Sequence, residues 1–397
     1  MSQIYARPKL AMDMANQLLK PTALDMGLRS GLFLSGIRRI GKTTFLRNDL
    51  IPALEDMGAI VIYVDLWSEP QTNPSKLVHA AVTKVLKDLV NPGSKMLTML
   101  KRIKGASFEG YGLKFGFQID AIGVDGSLTL AQVFTELVDT TQTDVVLIID
   151  EVQHALTTEE GGNLLLALKA ARDAVNPRPD TPGHFVFIGT GSHKAMIGEM
   201  AARKNQAFAG AHSAEYPVLN GDYIEFLLKN LAQDGFTKLP SKKVTVEAFK
   251  TLGNRPEEII RALGVAIRSS NENTQPDDVL PAIALALRTA AADVELSKVE
   301  QLGPLAEAFF DRVARNDKSA KGLFSAEAAA DYSKALGREV RIEEIQPVSM
   351  DLLNANLLMR RGHGLYEVSD PFVKEVWLER KSPSNLFPAG DKTGNTD

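Results

Sequence analysis

Gly36-Ile37-Arg38-Arg39-Ile40-Gly41-Lys42-Thr43, followed by Thr44, fits the pattern G-x-x-x-x-G-K-[ST]. The two glycines let the backbone turn tightly, so that its N–H groups point inward at phosphate oxygens. Lys42 brings charge for the β- and γ-phosphates, and the Thr43 hydroxyl is placed to ligate Mg2+. The flanks agree with this reading. Residues 31–35 form an apolar run of strand type, and residues 43–57 carry helical periodicity, interrupted or ended near Pro52. The predicted nucleotide-binding set is therefore Gly36, Arg39, Ile40, Gly41, Lys42, Thr43 and Thr44.

Outward from the loop, strand-like and helix-like segments alternate. Residues 59–64 (AIVIYV), 145–149 (VVLII) and 184–188 (HFVFI) read as buried strands. Residues 74–89, 128–138 and 164–175 carry apolar side chains at helical spacing. That alternation predicts an α/β fold with a doubly wound parallel sheet. The run at 145–149 delivers Asp150 and Glu151 to the carboxyl end of the sheet, where ligands of such folds bind. Asp150 can hold the magnesium shell, and Glu151 can orient an attacking water. The strand at 184–188 ends in Gly189-Thr190-Gly191-Ser192, where Thr190 or Ser192 can hydrogen-bond a γ-phosphate or that water; the same residues also serve as a polar strand cap. Leu113, Phe115, Phe117 and Ile119 recur at period two among glycines, which reads as a hairpin-like insertion over about residues 105–127.

Composition narrows the setting. The 397 residues hold 45 Lys and Arg against 49 Asp and Glu, a net charge of −4, so any nucleic-acid contact must come from a local patch. No apolar run approaches the ~20 residues of a membrane span, and no cleavable leader stands at the N-terminus, which predicts a cytoplasmic protein. The absence of cysteine removes thiol nucleophiles and cysteine–zinc sites. His154 follows the Asp-Glu pair but no H-x-x-x-H spacing accompanies it, so it reads as a solvated or outer-sphere residue.

Beyond residue 220 strands vanish. Helical periodicity runs through 221–230, 244–252, 256–269 and 277–302, and Gly253-Asn254-Arg255-Pro256 starts one of these helices. Arg255 there is a candidate to answer to the phosphates, or simply a solvated arginine. After Gly303-Pro304, helical segments at 306–314, 326–336 and 347–358 precede a strand–glycine–strand pattern at 358–368, the order of a winged helix. A strand is also read at 215–218. The predicted domains are 1–218 for the ATPase core, 219–302 for a helical lid and 303–381 for the winged helix, with a disordered tail at 382–397.

Taken together, these motifs resemble the AAA+ and STAND-like P-loop ATPases, particularly archaeal-type and origin-recognition-type ATPases with a winged helix after the lid. By that resemblance Lys42 and Thr43 belong to Walker A, Asp150 and Glu151 to Walker B, Thr190 is sensor one and Arg255 sensor two. It implies ATP rather than GTP, Mg2+, and assembly into homo-oligomers. Such ATPases often complete a neighbour's site with an arginine finger after sensor one. Here residues 198–217 hold only Arg203 and Lys204, which leaves Arg203 as the candidate. Arg7-Pro8 bears a faint likeness to the adenine-side motif of the group and carries no part of the reading.

The expected function is a Mg-dependent ATP-hydrolysing switch or assembly ATPase acting with DNA, in replication, transposition or mobile-element defence. The alternative is a STAND-like signalling switch whose winged helix docks a protein partner. Charge weighs between them. Residues 301–380 hold 11 basic and 13 acidic side chains, and 347–358 has one Asp and no Lys or Arg, a poor groove-reading helix. Arg360, Arg361 and His363 on the wing are candidates for DNA contact. So are Lys101, Arg102 and Lys104, which precede the aromatics Phe108, Tyr111, Phe115 and Phe117.

Overall fold

The computed structural model describes residues 4–104, 113–124, 128–192, 194–202, 206–271, 273–317, 319–362 and 364–381. The chain divides into two compact units, Met1–Asn230 and Leu231–Asp397.

The first unit is built on five parallel strands: β1 (Leu32–Ser35), β2 (Ile60–Asp65), β3 (Val145–Asp150), β4 (Phe185–Gly191) and β5 (His212–Glu215), in the spatial order β2-β3-β4-β1-β5. Strand side chains alternate between two cores. Phe33, Ile60, Ile62, Val64, Leu147 and Ile149 enter one; Leu32, Leu34, Val61, Val146, Ile148 and Val186 enter the other. Both faces of each strand are thus buried, which is why 145–149 reads as an unbroken apolar run. The helices α1 (Pro8–Leu19), α2 (Lys42–Phe45) and α3 (Ile51–Asp56) cover one face. The other is covered by α4 (Pro74–Val90), α5 (Lys95–Lys104), α6 (Leu130–Thr141), α7 (Glu159–Val175) and α8 (Lys194–Ala202). The helix α9 (Gly221–Gln233) begins at the end of this unit.

The break expected near Pro52 takes a specific form. Between α2 and α3 the chain makes one π turn, Leu46–Leu50, and Pro52 follows in the first turn of α3. A widened turn accommodates the main-chain bond that proline, having no N–H, cannot donate, and the helical course continues.

Two expectations change. The strand read at 215–218 lies three residues earlier, at His212–Glu215, because its position is set by main-chain pairing with β1: His212 N–H donates to Gly31 O (2.9 Å) and Tyr216 N–H to Ser35 O (2.7 Å). Its side chains are mostly exposed, so no apolar pattern marks it. The insertion falls partly outside the described residues (105–112 and 125–127). Over 113–124 there is no strand; Leu113, Phe115, Phe117 and Ile119 instead pack on the core as half-buried side chains, and Leu113 N–H donates to Leu89 O at the end of α4 (3.3 Å). A one-sided extended segment gives period two whether or not a partner strand pairs with it.

The second unit holds α10 (Lys242–Thr251), α11 (Pro256–Ser269) and α12 (Pro276–Gln301), then α13 (Pro304–Ala314), α14 (Ala326–Leu336), α15 (Ile342–Asn354), the antiparallel pair β6 (Leu358–Gly362) and β7 (Leu365–Val368), and α16 (Pro371–Lys381). The run α13–α14–α15–β6–β7 has the element order expected of a winged helix. One core binds α12 to α16, centred on Phe309, Phe310, Tyr332, Tyr366 and Trp377. The third helix, expected at 347–358, starts five residues earlier and ends at Asn354. At its start the Glu344 carboxylate accepts from Arg341 N–H (3.0 Å), and Pro347 stands inside the helix. Proline favours a first turn, so the sequence pattern alone points to a start at Pro347.

Candidate functional site

The strand β1 ends at Ser35, and Gly36 N–H donates to Gly191 O at the end of β4 (3.1 Å), pinning the root of the 36–43 loop to the sheet. A Cβ on Gly36 would stand 2.8 Å from Ile40 Cδ1 and 3.1 Å from Tyr216 Cβ, so only glycine fits there. Gly41 has φ +90° with nothing within 4 Å of its missing Cβ, which leaves an open concavity at the start of α2. Arg39 also takes a left-handed φ of 66°, and buried Ile40 anchors the loop. Thr44 is exposed on the first turn of α2.

Lys42 folds back into this loop. Its ammonium donates to Gly36 O (2.5 Å) and Ile37 O (3.1 Å). Burial lowers its pKa, against the opposing pull of Glu151 and then Asp150. A cation held among loop carbonyls beside two carboxylates is poised for a polyanion.

Asp150, 1% exposed, accepts four hydrogen bonds. Oδ2 takes the hydroxyls of Thr43 (2.6 Å) and Tyr63 (3.1 Å). Oδ1 takes the Thr190 hydroxyl and Glu151 N–H (3.1 Å). Four donors match the lone-pair sites of a carboxylate. The sequence leaves Thr190 open between a phosphate or water contact and a polar strand cap; in the structure its hydroxyl donates to Asp150. Burial pushes the Tyr63 hydroxyl pKa up, with Asp150 adding to the shift.

Glu151 adopts φ 54°, a left-handed conformation that costs a non-glycine residue about 1–2 kcal/mol. That twist turns its side chain away from the strand register. Its Oε2 accepts from Gln153 Nε2, the Ser192 hydroxyl (3.1 Å) and Ser192 N–H (3.4 Å). Gln153 is itself buried, and its Oε1 has no hydrogen-bond partner.

The donor set fits Mg2+. A hydroxyl and a carboxylate are hard oxygen ligands, and among the described residues no group of three or more His, Cys, Asp or Glu could hold a metal ion. Mg2+ is typically held by one or two protein oxygens with substrate phosphates and water completing its shell. Thr43 and Asp150 are the residues that would supply that pair.

Sequence reasoning missed Tyr63, Gln153 and the N-terminal Arg7. Arg7 N–H donates to Asp49 Oδ1 (2.8 Å), and its guanidinium donates to the Tyr216 hydroxyl (3.0 Å), which in turn donates to Gly41 O (3.2 Å). The faint Arg7-Pro8 likeness was the available signal. Arg255 lies in the second unit, where it donates to Asp370 Oδ2 (3.0 Å) at the head of α16 while its Nε is buried without a partner. Arg203 and His363 lie outside the described residues. Arg360 stacks on Tyr366 (5.4 Å) and donates to its hydroxyl (3.1 Å).

A family model described as an ATPase domain predominantly from Archaea matches residues 19–262, from before β1 into α11. The chain belongs to this archaeal-type ATPase family. It is an ATP-hydrolysing P-loop enzyme. The archaeal-type ATPase is similar in fold to the Walker-type ATPase PABY2304 of Pyrococcus abyssi, at 17% identity and TM-score 0.56, covering 92% of this chain and 95% of that one. It is also similar to the ORC2 protein of Aeropyrum pernix in its ADP form, at 12% identity and TM-score 0.52, covering 96% of each chain. No curated protein matches it. Among the described residues no helix of the archaeal-type ATPase is long and apolar enough to cross a membrane.

Proposed function

We propose that this ATPase is a Mg2+-dependent switch whose C-terminal helices and hairpin dock a protein partner. The observation that supports the chemistry is the convergence of Lys42, Thr43, Asp150 and Glu151 from two segments about a hundred residues apart. Lys42 and the loop amides bind the β- and γ-phosphates, and Thr43 and Asp150 hold the metal. Bound Mg2+ supplies charge neutralisation on the phosphoryl oxygens. Glu151, once released from Ser192 and Gln153, orients the attacking water and takes its proton. The expected outcome is that Lys42→Ala abolishes nucleotide binding, while Glu151→Gln binds ATP and loses turnover. Persistent turnover in Glu151→Gln removes that residue from the role.

Protein docking is favoured over DNA by the composition of α15. Residues 342–354 carry Glu343, Glu344 and Asp351 and no Lys or Arg. Phosphate neutralisation drives most sequence-independent DNA affinity, and an acidic helix opposes it. DNA is the second reading, with Arg360, Arg361, Lys101, Arg102 and Lys104 as its contacts. DNA affinity falling steeply with salt, together with DNA-stimulated turnover, supports the second reading. Turnover indifferent to DNA supports the first. Particle mass with ADP or a non-hydrolysable ATP analogue tests homo-oligomer assembly.

A further inference from the structure

The crest of the 36–43 loop is a turn at Arg38 and Arg39, two positions where the motif accepts any residue. The Arg38 guanidinium lies over the Trp67 ring, 4.6 Å from its centroid, and Trp67 meets the His154 ring edge-on at 4.5 Å. Trp67 stands two residues past β2, and His154 four residues past β3. The stack therefore joins the loops that leave β1, β2 and β3, all at the carboxyl end of the sheet. The Trp67 main-chain N–H donates to Asp65 Oδ1 (2.9 Å), and the residue remains 46% exposed.

A ring face fixes a guanidinium without consuming its five N–H donors. Among the described residues none of those donors makes a hydrogen bond to the protein. An oriented arginine with unused donors, standing on the crest of a phosphate loop, is suited to bidentate contact with phosphoryl oxygens.

We propose that Arg38 meets the γ-phosphoryl oxygens in the transition state of hydrolysis, supplied from the protomer's own loop and aimed by the face of Trp67. This rests on the reading of Glu151 and Asp150 given above. In the reaction, the water oxygen bonds to the γ-phosphorus as the bond to the β–γ bridging oxygen breaks. The electron pair of that bond leaves with ADP, and the water's proton passes to Glu151 and then to the products. Negative charge rests on the γ-oxygens and the bridge throughout, and the guanidinium offsets it. Residues 198–217 offer only Arg203 and Lys204 for the same duty from a neighbouring copy, so a charge carried in the loop would make turnover independent of a neighbour.

The test compares full-length wild type with Arg38→Ala, Arg38→Lys, Trp67→Ala and Trp67→Phe. The readouts are kcat, KM for Mg-ATP, affinity for ADP, affinity for ADP with fluoroaluminate (a planar phosphoryl mimic), and the melting temperature. Arg38→Ala is expected to lower kcat by at least about a hundredfold, toward the 10³–10⁵ range known for arginine fingers, with ADP affinity and melting unchanged and the fluoroaluminate complex lost. Arg38→Lys recovers little, because an ammonium lacks the planar fork. Trp67→Ala loses about two- to fivefold, the worth of a cation–π contact open to solvent, and Trp67→Phe keeps the wild-type rate. Turnover per protomer stays constant as protein concentration rises. Arg38→Ala turning over at the wild-type rate overturns the proposal, as does an equal loss of ADP and fluoroaluminate affinity or turnover that climbs with concentration. Wild-type turnover that survives Glu151→Gln fails the underlying reading while leaving the Arg38 comparison interpretable.

Discussion

Thr43 and Asp150 stand 107 residues apart in the chain, yet the hydroxyl of one donates to the carboxylate of the other across 2.6 Å. The contact closes the space between the phosphate loop and β3, and it uses the two oxygens that fit a magnesium ion. The same carboxylate oxygen also holds Tyr63 (3.1 Å), so β2, β3 and α2 meet at one atom.

Tyr63→Phe therefore removes a partner of Asp150, the proposed metal ligand, without touching Asp150 itself. Loss of such partners costs about 10–100-fold in metal affinity. The Mg2+ concentration for half-maximal turnover should rise by about tenfold or more, while metal-free ADP binding is retained. A titration of turnover against Mg2+ checks this, and an unchanged midpoint refutes a role for the hydroxyl.

Gly191 is the second sensitive position. A Cβ there would lie 1.9 Å from Gln153 Oε1 and 2.9 Å from Ile197 Cδ1. Gly191→Ala should displace the Gln153 amide and with it the carboxylate of Glu151. Turnover is expected to fall by about tenfold or more, as for lost orientation of a catalytic group, with Mg-ATP binding retained. Loss of binding in equal measure would instead mean that the whole loop had shifted, since Gly191 O also accepts from Gly36 N–H.

Asp65 gives a pH test. Burial raises its pKa; the Trp67 N–H and Arg47 pull against that, while Asp150 and Glu151 add to it. The folded state then keeps this proton to a higher pH than the unfolded chain does, so stability falls as pH rises between the two pKa values. The penalty is fully present above that window and absent below it. Asp65→Asn keeps the acceptor for Trp67 N–H and removes the charge. Its melting temperature in nucleotide-free buffer should exceed that of the wild type at neutral pH, and the difference should vanish in acid. A constant difference across pH would show that the carboxylate is not the source.

The sequence alone determined the chemistry and the frame around it. The phosphate loop, the strand ending in Asp150-Glu151 and the alternation of strands with helices are all short-range patterns, because a tight turn, a buried strand and a helix face each impose their spacing on neighbouring residues. Tertiary structure decided the rest. It put Thr190 on Asp150, tied Glu151 to Ser192 and Gln153, paired Arg255 with Asp370, and brought β5 into register through main-chain bonds that no side-chain pattern records. It also moved the start of α15 ahead of Pro347, where the Glu344 carboxylate holds the Arg341 N–H. No local pattern marks Tyr63 or Trp67, whose contacts with Asp150 and Arg38 arise only where the strand ends meet at the carboxyl edge of the sheet. Hydrogen bonds and ring contacts between distant segments depend on where the chain folds back, and that is settled by packing of the whole core rather than by any local run of residues.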